Sequence, residues 1–395
     1  LLFLLDSGSM SERYISEHIK GVPPSGIRKF FDLVLEMDDV ISLGVGEPDF
    51  VTPWHIREAC IYSLEKGFTS YTSNHGILEL RELISRCYRK DHDIDYNPEH
   101  EVLITTGVSE AADLALRAII NPGEEVIIPE PCYVSYKPSV VFAGGRPIPV
   151  PTYQEDEFRV TAEQIKRSIT DRTKALILSY PNNPTGAVMR RSDLEEIADV
   201  ASENDLVVVS DEVYCKLTYN GVHTCFSSIP GMRDRTIILN GLSKSHAMTG
   251  LRIGFAVGSE EIISAMTKIH QYTMLCAPIT AQMGAIEALR NGDEEMKKMV
   301  GEYNRRRRLI VNGLNKMGLE CFEPEGAFYA FPSIKSTGLT SDEFAGGLLK
   351  EQKVAVVPGD VFGECGAGYL RCSYATSYEE LTEALSRIQA FIEGL

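Results

Sequence analysis

Thr236-Ile237-Ile238-Leu239-Asn240-Gly241-Leu242-Ser243-Lys244-Ser245-His246-Ala247-Met248-Thr249-Gly250-Leu251-Arg252-Ile253-Gly254-Phe255-Ala256-Val257-Gly258 decides how the rest of this chain is read. Thr236–Leu239 carries the signal of a short buried strand, and it runs into small and hydroxyl residues that surround Lys244. Arg252 follows behind a glycine and opens a second apolar run, Ile253–Val257. A lysine at the mouth of a buried strand, with no adjacent acid, is either an exposed loop residue or is used chemically. A desolvated lysine gives up its proton readily and can attack or hold a carbonyl carbon.

Outward from this stretch, short apolar runs alternate with amphipathic segments of helical length. Val102–Thr105, Glu125–Ile128, Lys174–Ser179, Leu206–Ser210, Thr236–Leu239 and Ile253–Val257 read as strands. Ser109–Ile120, Tyr133–Phe142, Ser192–Asn204 and Ile262–His270 fit as helices among them. Such alternation predicts an α/β fold with a mostly parallel sheet covered on both faces, whose ligands sit outside the carboxyl ends of the strands. The residues just past those ends are Gly107-Val108-Ser109, Tyr133, Asn183, Asp211 with Tyr214, and Ser243 with Lys244. Backbone donors at a helix start, phenols, an amide, a carboxylate and an amine therefore converge on one edge. Arg252 precedes its strand, so it reaches that edge only if Ile253–Val257 runs antiparallel to the rest.

Gly241-Leu242-Ser243-Lys244, with Ala247-Met248-Thr249-Gly250-Leu251-Arg252-Ile253-Gly254, resembles the lysine signature of class I/II pyridoxal-phosphate (PLP) aminotransferases. The resemblance runs from about Gly44 to the C-terminus and is closest to the aspartate aminotransferase-like members of fold type I. It implies a large domain built on a seven-stranded sheet (residues 50–298) and a smaller α+β domain (residues 11–49 and 299–395). It also implies transfer of an amino group from an L-amino acid, aspartate-like first of all, to a 2-oxo acid such as 2-oxoglutarate. A PLP-dependent lyase on the same scaffold and a non-catalytic PLP-binding regulator are the competing readings.

Under the resemblance, Lys244 holds PLP and moves the proton, while Asp211 faces the ring nitrogen, which needs a carboxylate to stay protonated. Tyr214 and Asn183 bond the ring's phenolic oxygen, and Tyr133 stacks on the ring. Val108, Ser109, Ser243 and Arg252 take the phosphate, by backbone donors at a helix start, a hydroxyl and a charge-assisted bond. Gly241 stands where some relatives carry serine. Gly46, in Gly44-Val45-Gly46-Glu47-Pro48-Asp49, and Arg371, in Tyr369-Leu370-Arg371-Cys372-Ser373, bind the substrate's α-carboxylate together with Asn183. Tyr71 is assigned to the phosphate of the partner subunit's site, which makes a homodimer with shared active sites. Each residue also has a plainer reading: a helix-capping serine, a turn acid, a core tyrosine, a buried structural arginine.

Composition fits an enzyme of this kind. The 395 residues exceed the usual single domain, and the net charge of −17 disfavours a non-specific nucleic-acid binder. No apolar run is long enough to cross a membrane. The 9 cysteines are scattered without a CxxC pair, as expected for reduced thiols in a cytoplasmic protein without a metal site. Residues 1–10 read as an expression remnant or disordered start, with Met10 as the natural first residue and a signal peptide as the alternative. Ser11–Gly21 and the stretch opening at Ser25 and carrying Phe31, Leu33, Val34 and Leu35 read as helices. The basic run Arg305–Arg308 reads as a solvated or interface face of a helix over Glu302–Leu314, followed by strands at Phe328–Phe331, Val354–Val357 and Tyr369–Ala375 and by helices at Asp342–Lys350 and Ser377–Ile392. Glu130–Pro131 and Asn183–Pro184 are predicted to be cis, at abrupt turns that present Tyr133 and Asn183.

Overall fold

The computed structural model describes residues 14–24, 26–27 and 37–395. The proposed start at residues 1–10 and most of the helix expected from Ser25 onward lie outside them; of the helix expected over Ser11–Gly21, Glu17–Lys20 (α1) is helical. The strands are β1 (Ile41–Ser42), β2 (Val102–Thr105), β3 (Glu125–Glu130), β4 (Arg146–Pro151), β5 (Thr173–Ser179), β6 (Val207–Asp211), β7 (Thr236–Gly241), β8 (Gly254–Val257), β9 (Tyr329–Ala330), β10 (Val354–Ala355), β11 (Val357–Pro358) and β12 (Leu370–Ser373). The helices after α1 are α2 (Trp54–Glu65), α3 (Leu78–His92), α4 (Val108–Ile119), α5 (Tyr136–Phe142), α6 (Ala162–Ser168), α7 (Arg191–Glu203), α8 (Glu260–Thr273), α9 (Ile279–Asn291), α10 (Asp293–Lys316), α11 (Ser341–Gln352) and α12 (Tyr378–Glu393).

The main sheet has 7 strands in the order β2-β8-β7-β6-β5-β3-β4. Helices cover both faces of the sheet, which is why the inner strand Gly254–Val257 and even the edge strand Val102–Thr105 are buried throughout. β3, β4, β5, β6 and β7 run parallel, and β8 is antiparallel to both of its neighbours, β2 and β7. The reversal expected from the position of Arg252 is therefore present.

β4 was not expected from the sequence. It reads Arg146-Pro147-Ile148-Pro149-Val150-Pro151, and prolines at alternate positions argue against a strand. It exists because it is an edge strand paired only with β3, so the prolines withhold no needed ladder bond.

β9, β11 and β12 form an antiparallel sheet of their own, and β1 pairs in parallel with β10. The expected strand Val354–Val357 is thus split between two sheets. A core of Tyr303, Ile310, Phe328, Phe344, Leu381 and Ile388 joins α10, α11 and α12 to these strands.

The basic run corrects its reading as a solvated face. Arg306 and Arg307 are 5% and 4% exposed. Arg306 bonds Asp49 at 2.8 Å and Glu302 at 3.1 Å, while Arg307 bonds Glu323 at 2.9 Å and the Pro324 carbonyl at 2.8 Å. Successive helical residues are about 100° apart, so four in a row must visit every face of α10, and two of them point inward.

Glu130–Pro131 is cis, as expected, but the second cis bond is Tyr180–Pro181 and not Asn183–Pro184. The abrupt exit from β5 falls at Pro181. Asn183–Pro184 lies inside a turn already closed by Gly186 N–H on the Asn182 carbonyl at 2.9 Å and by Thr185 N–H on Asn182 Oδ1 at 3.1 Å.

Candidate active site

A cavity of about 1170 Å³ opens at the carboxyl ends of the parallel strands, and its wall includes Gly46, Val108, Ser109, Tyr133, Asn183, Asp211, Tyr214, Ser243, Lys244, Arg252 and Arg371. Every site residue expected from the sequence is there except Tyr71, which lies outside the cavity and is 82% exposed. Tyr329 lines the cavity as well, and Phe328 does not.

The cavity floor is built around Asp211, the last residue of β6. Tyr136 Oη donates to Asp211 Oδ2 at 2.8 Å, and the Val213 N–H donates to Oδ1 at 3.1 Å. Burial nonetheless pushes the carboxyl up to about 6, against the opposing effect of those two bonds. Among the described residues no ion pair engages it, so the cavity holds a buried carboxylate whose natural complement is a cation.

Lys244 enters where β7 ends, and its Nζ donates to the Gly46 carbonyl at 2.7 Å. Burial first, and then the positive charges of Arg371 and Arg252, bring the amine down to about 8, although Glu47 pulls the other way. An amine so depressed is a competent nucleophile and base near neutrality.

The anion cradle is assembled from glycines and Arg252. Gly107 caps α4 with φ +81°, and a Cβ there would lie 2.7 Å from Arg252 Nη2. A Cβ on Gly254 would come within 2.6 Å of the Gly107 carbonyl carbon and the Val108 nitrogen. Only glycine at both places lets the guanidinium and the helix start share one small space. Gly241 is also closely approached, with the Ile253 carbonyl oxygen and Val108 each 3.0 Å from a would-be Cβ. Arg252 itself holds a left-handed backbone, φ +53°, to turn into β8.

Arg371, on β12, is 2% exposed. Nη1 donates to Asn183 Oδ1 at 2.9 Å and Nη2 to the Gly44 carbonyl at 2.6 Å, while Nε is buried without a partner. The rings of Tyr329 and Phe362 sandwich the guanidinium at 4.7 and 4.8 Å. No carboxylate neutralises it among the described residues, so its charge is available to an anion in the cavity.

Tyr136 and the partnership of Tyr329 with Tyr214 escaped the sequence reading. Tyr136 opens α5 three residues beyond Tyr133, which lies ahead of the helix, and the two rings meet edge to face at 5.6 Å; on the helix expected over Tyr133–Phe142 that spacing would have put both on one face. Tyr329 Oη meets Tyr214 Oη at 2.7 Å, and a Cβ on Gly46 would lie 2.5 Å from it. No sequence signal joins Tyr329 to Tyr214, because the pair is 115 residues apart.

The Aminotransferase class I and II family profile matches residues 38–388. The chain belongs to this family. It is 53% identical to a putative aminotransferase, YugH, of Bacillus subtilis over 96% of its length and 98% of the relative's. Identity to an aspartate aminotransferase of Pyrococcus abyssi is 49%, over 95% and 97% of the two chains. The structure of an aromatic aminotransferase from Pyrococcus horikoshii superposes with a TM-score of 0.89 at 47% identity, covering 93% of this chain and 99% of that one. The protein is therefore a PLP-dependent aminotransferase of fold type I, with an amino acid and a 2-oxo acid as substrates.

The residues present suit that cofactor. The uncompensated Asp211 carboxylate matches the cation of a protonated ring nitrogen, and the glycine-floored cradle beside Arg252 matches a phosphate. The described residues contain no group of side chains able to hold a metal ion, all 9 cysteines are free, and no described helix is long and apolar enough to cross a membrane.

Proposed function

We propose that the protein transfers the amino group of an L-amino acid, aspartate-like first of all, to 2-oxoglutarate, with the residues of the cavity in the following roles. The observation that carries the reading is the pairing of one depressed amine, Lys244, with one unneutralised guanidinium, Arg371, across a single cavity. Arg371, with its Nε free and Asn183 beside it, takes the substrate's α-carboxylate in a fork-to-fork arrangement, and Gly46 adds a backbone contact. That places the α-carbon over the floor, within reach of Lys244. Val108, Ser109, Ser243 and Arg252 hold the phosphate of PLP, Tyr133 covers its ring, and Asn183 and Tyr214 meet its phenolic oxygen. Bound there, PLP supplies an electron sink for the electrons left at Cα, and Asp211 keeps the sink charged. Lys244 Nζ is the base that would take the proton from Cα and hold it for return.

The same reading divides the chain into a large domain, residues 50–298, and a small one, residues 11–49 and 299–395. The core that gathers α10, α11 and α12 supports it, although Tyr214, Leu217 and Ala247 of the large domain also reach into that core. It also assigns Tyr71 to the partner's site in a homodimer. Tyr71 is itself exposed, as are Trp54, Tyr62, Phe68, Tyr272 and Met274, and exposed apolar residues of this size are of the kind that a second copy covers.

For the side chain, the curated aspartate aminotransferases among the relatives support an aspartate-like donor. A second reading, an aromatic donor, is favoured by the apolar residues that line the cavity, among them Val22, Pro23, Val141, Phe142 and Val361. Lys137, the remaining cation on the wall among the described residues, is held by buried Glu130 at 2.6 Å. A screen of the common amino acids with 2-oxoglutarate decides between them: highest kcat/KM for aspartate supports the first reading, and preference for phenylalanine or tyrosine replaces it with the second. Ammonia release without dependence on the 2-oxo acid would overturn transamination as the main reaction.

A further inference from the structure

Glu110 stands in the first turn of α4, the helix whose start forms the anion cradle. A carboxylate at that position normally turns to the free N–H groups of its own helix. Here it turns away. Its Oε2 accepts the backbone N–H of Thr106, ahead of the Gly107 cap, and its Oε1 lies 2.6 Å from His270 Nδ1 on α8. The His270 side chain is fully buried and that of Glu110 is 12% exposed, so water does little to screen the pair. His270 Nε2 has no hydrogen-bond partner, which leaves Glu110 as the polar anchor of the ring. Gly107, as the N-cap, has no side chain to bond the opening N–H groups of α4, which leaves them free for an anion.

We propose that Glu110 and His270 are positioning residues for the cofactor phosphate, a role that rests on the assignment of Val108, Ser109, Ser243 and Arg252 to that group. An unrestrained carboxylate one turn into α4 would compete for the same N–H groups and repel the dianion. Bonded to Thr106 and His270, it instead fixes the Thr106–Ser109 turn from behind, with its charge turned toward the imidazole. Neither residue touches the cofactor, since neither lines the cavity.

The test compares binding of PLP and of pyridoxal, its unphosphorylated form, to cofactor-free full-length protein, by absorbance titration. Glu110→Ala and His270→Ala are each expected to cut the preference for PLP over pyridoxal by about tenfold, with pyridoxal affinity unchanged. The double variant should lose little more than either single one, because both act through one bond. His270→Asn, whose amide can occupy the place of Nδ1–H, should restore most of the preference, and this comparison decides the matter if Glu110→Ala does not fold. An unchanged preference in either alanine variant, or equal loss of PLP and pyridoxal affinity, would overturn the proposal and leave the pair as a tie between α4 and α8. Arg252→Gln serves as the separate check on the phosphate assignment: if it too leaves the preference at the wild-type value, the cradle reading fails rather than the pair.

Discussion

Tyr136 Oη bridges Asp211 Oδ2 at 2.8 Å and Ser179 Oγ at 2.9 Å, so the carboxylate at the cavity floor is held by a phenol from α5 as well as by its own strand. The phenol can donate only one proton. It gives that proton to the carboxylate when Asp211 is ionised and is released to Ser179 when Asp211 is neutral, so the network adapts to either charge state at little cost.

Asp211 makes the cofactor-free protein less stable as pH rises. Its folded value of about 6 lies above the ordinary 3.8, so the folded form holds the proton more tightly, and the stability this contributes is full below pH 3.8 and lost as pH passes about 6. The shift corresponds to about 3 kcal/mol, an upper figure for a buried group that can relax. Urea unfolding of cofactor-free wild type across pH 4–7 should show this decline, and Asp211→Asn should remove it. Parallel pH profiles for the two proteins would contradict the assignment.

Lys244→Ala should abolish turnover and the covalent fixation of cofactor by borohydride while leaving non-covalent binding measurable. In the wild-type protein, capture of added PLP should accelerate with pH and level off above about 8, where the depressed amine is neutral. Capture that keeps accelerating to the ordinary lysine value of 10.5 would show that burial does not set the amine's charge.

Arg371→Lys keeps the charge and loses the fork. One ammonium cannot hold Asn183 and the Gly44 carbonyl while also meeting a carboxylate edge-on. KM for the amino acid and for the 2-oxo acid should both rise roughly thirtyfold, about 2 kcal/mol, with PLP affinity unaltered. A loss confined to kcat would place Arg371 outside substrate binding.

Tyr71→Phe should weaken PLP binding if the tyrosine serves the partner's phosphate. Equilibrated mixtures of Tyr71→Phe and Lys244→Ala subunits should then regain part of the activity, because in a hybrid one site collects both lesions and the other neither. Mixtures as inactive as the sum of their homodimers, or an active monomer, would remove the shared-site arrangement.

The strand-and-helix alternation made the sheet legible, because buried parallel strands must be apolar and their exits must carry the polar chemistry. Lys244, Asp211 and Asn183 could be located by that rule alone. Arg371 and Gly46 needed the family resemblance, since a charged residue in a short strand has a structural explanation equally at hand. The remaining surprises come from pairings that sequence distance hides, Tyr214 with Tyr329 and Glu110 with His270. They also come from β4, where an edge position overrides the local preference of its prolines. The reading of Arg305–Arg308 failed for a simpler reason: it treated a run in sequence as a face in space.

The backward course of β8 turns the segment between Lys244 and Arg252 into a ruler. Both of its ends are pinned, one by β7 paired to β8 in fixed register from Ile238–Val257 to Gly241–Gly254, the other by the guanidinium lodged against Gly107. The spacing of amine and arginine is thus a matter of residue count, which side-chain rotation can do little to correct. A single inserted or deleted residue between them would carry one group off its mark even with every side chain intact, so this short span should tolerate substitution far better than any change of length.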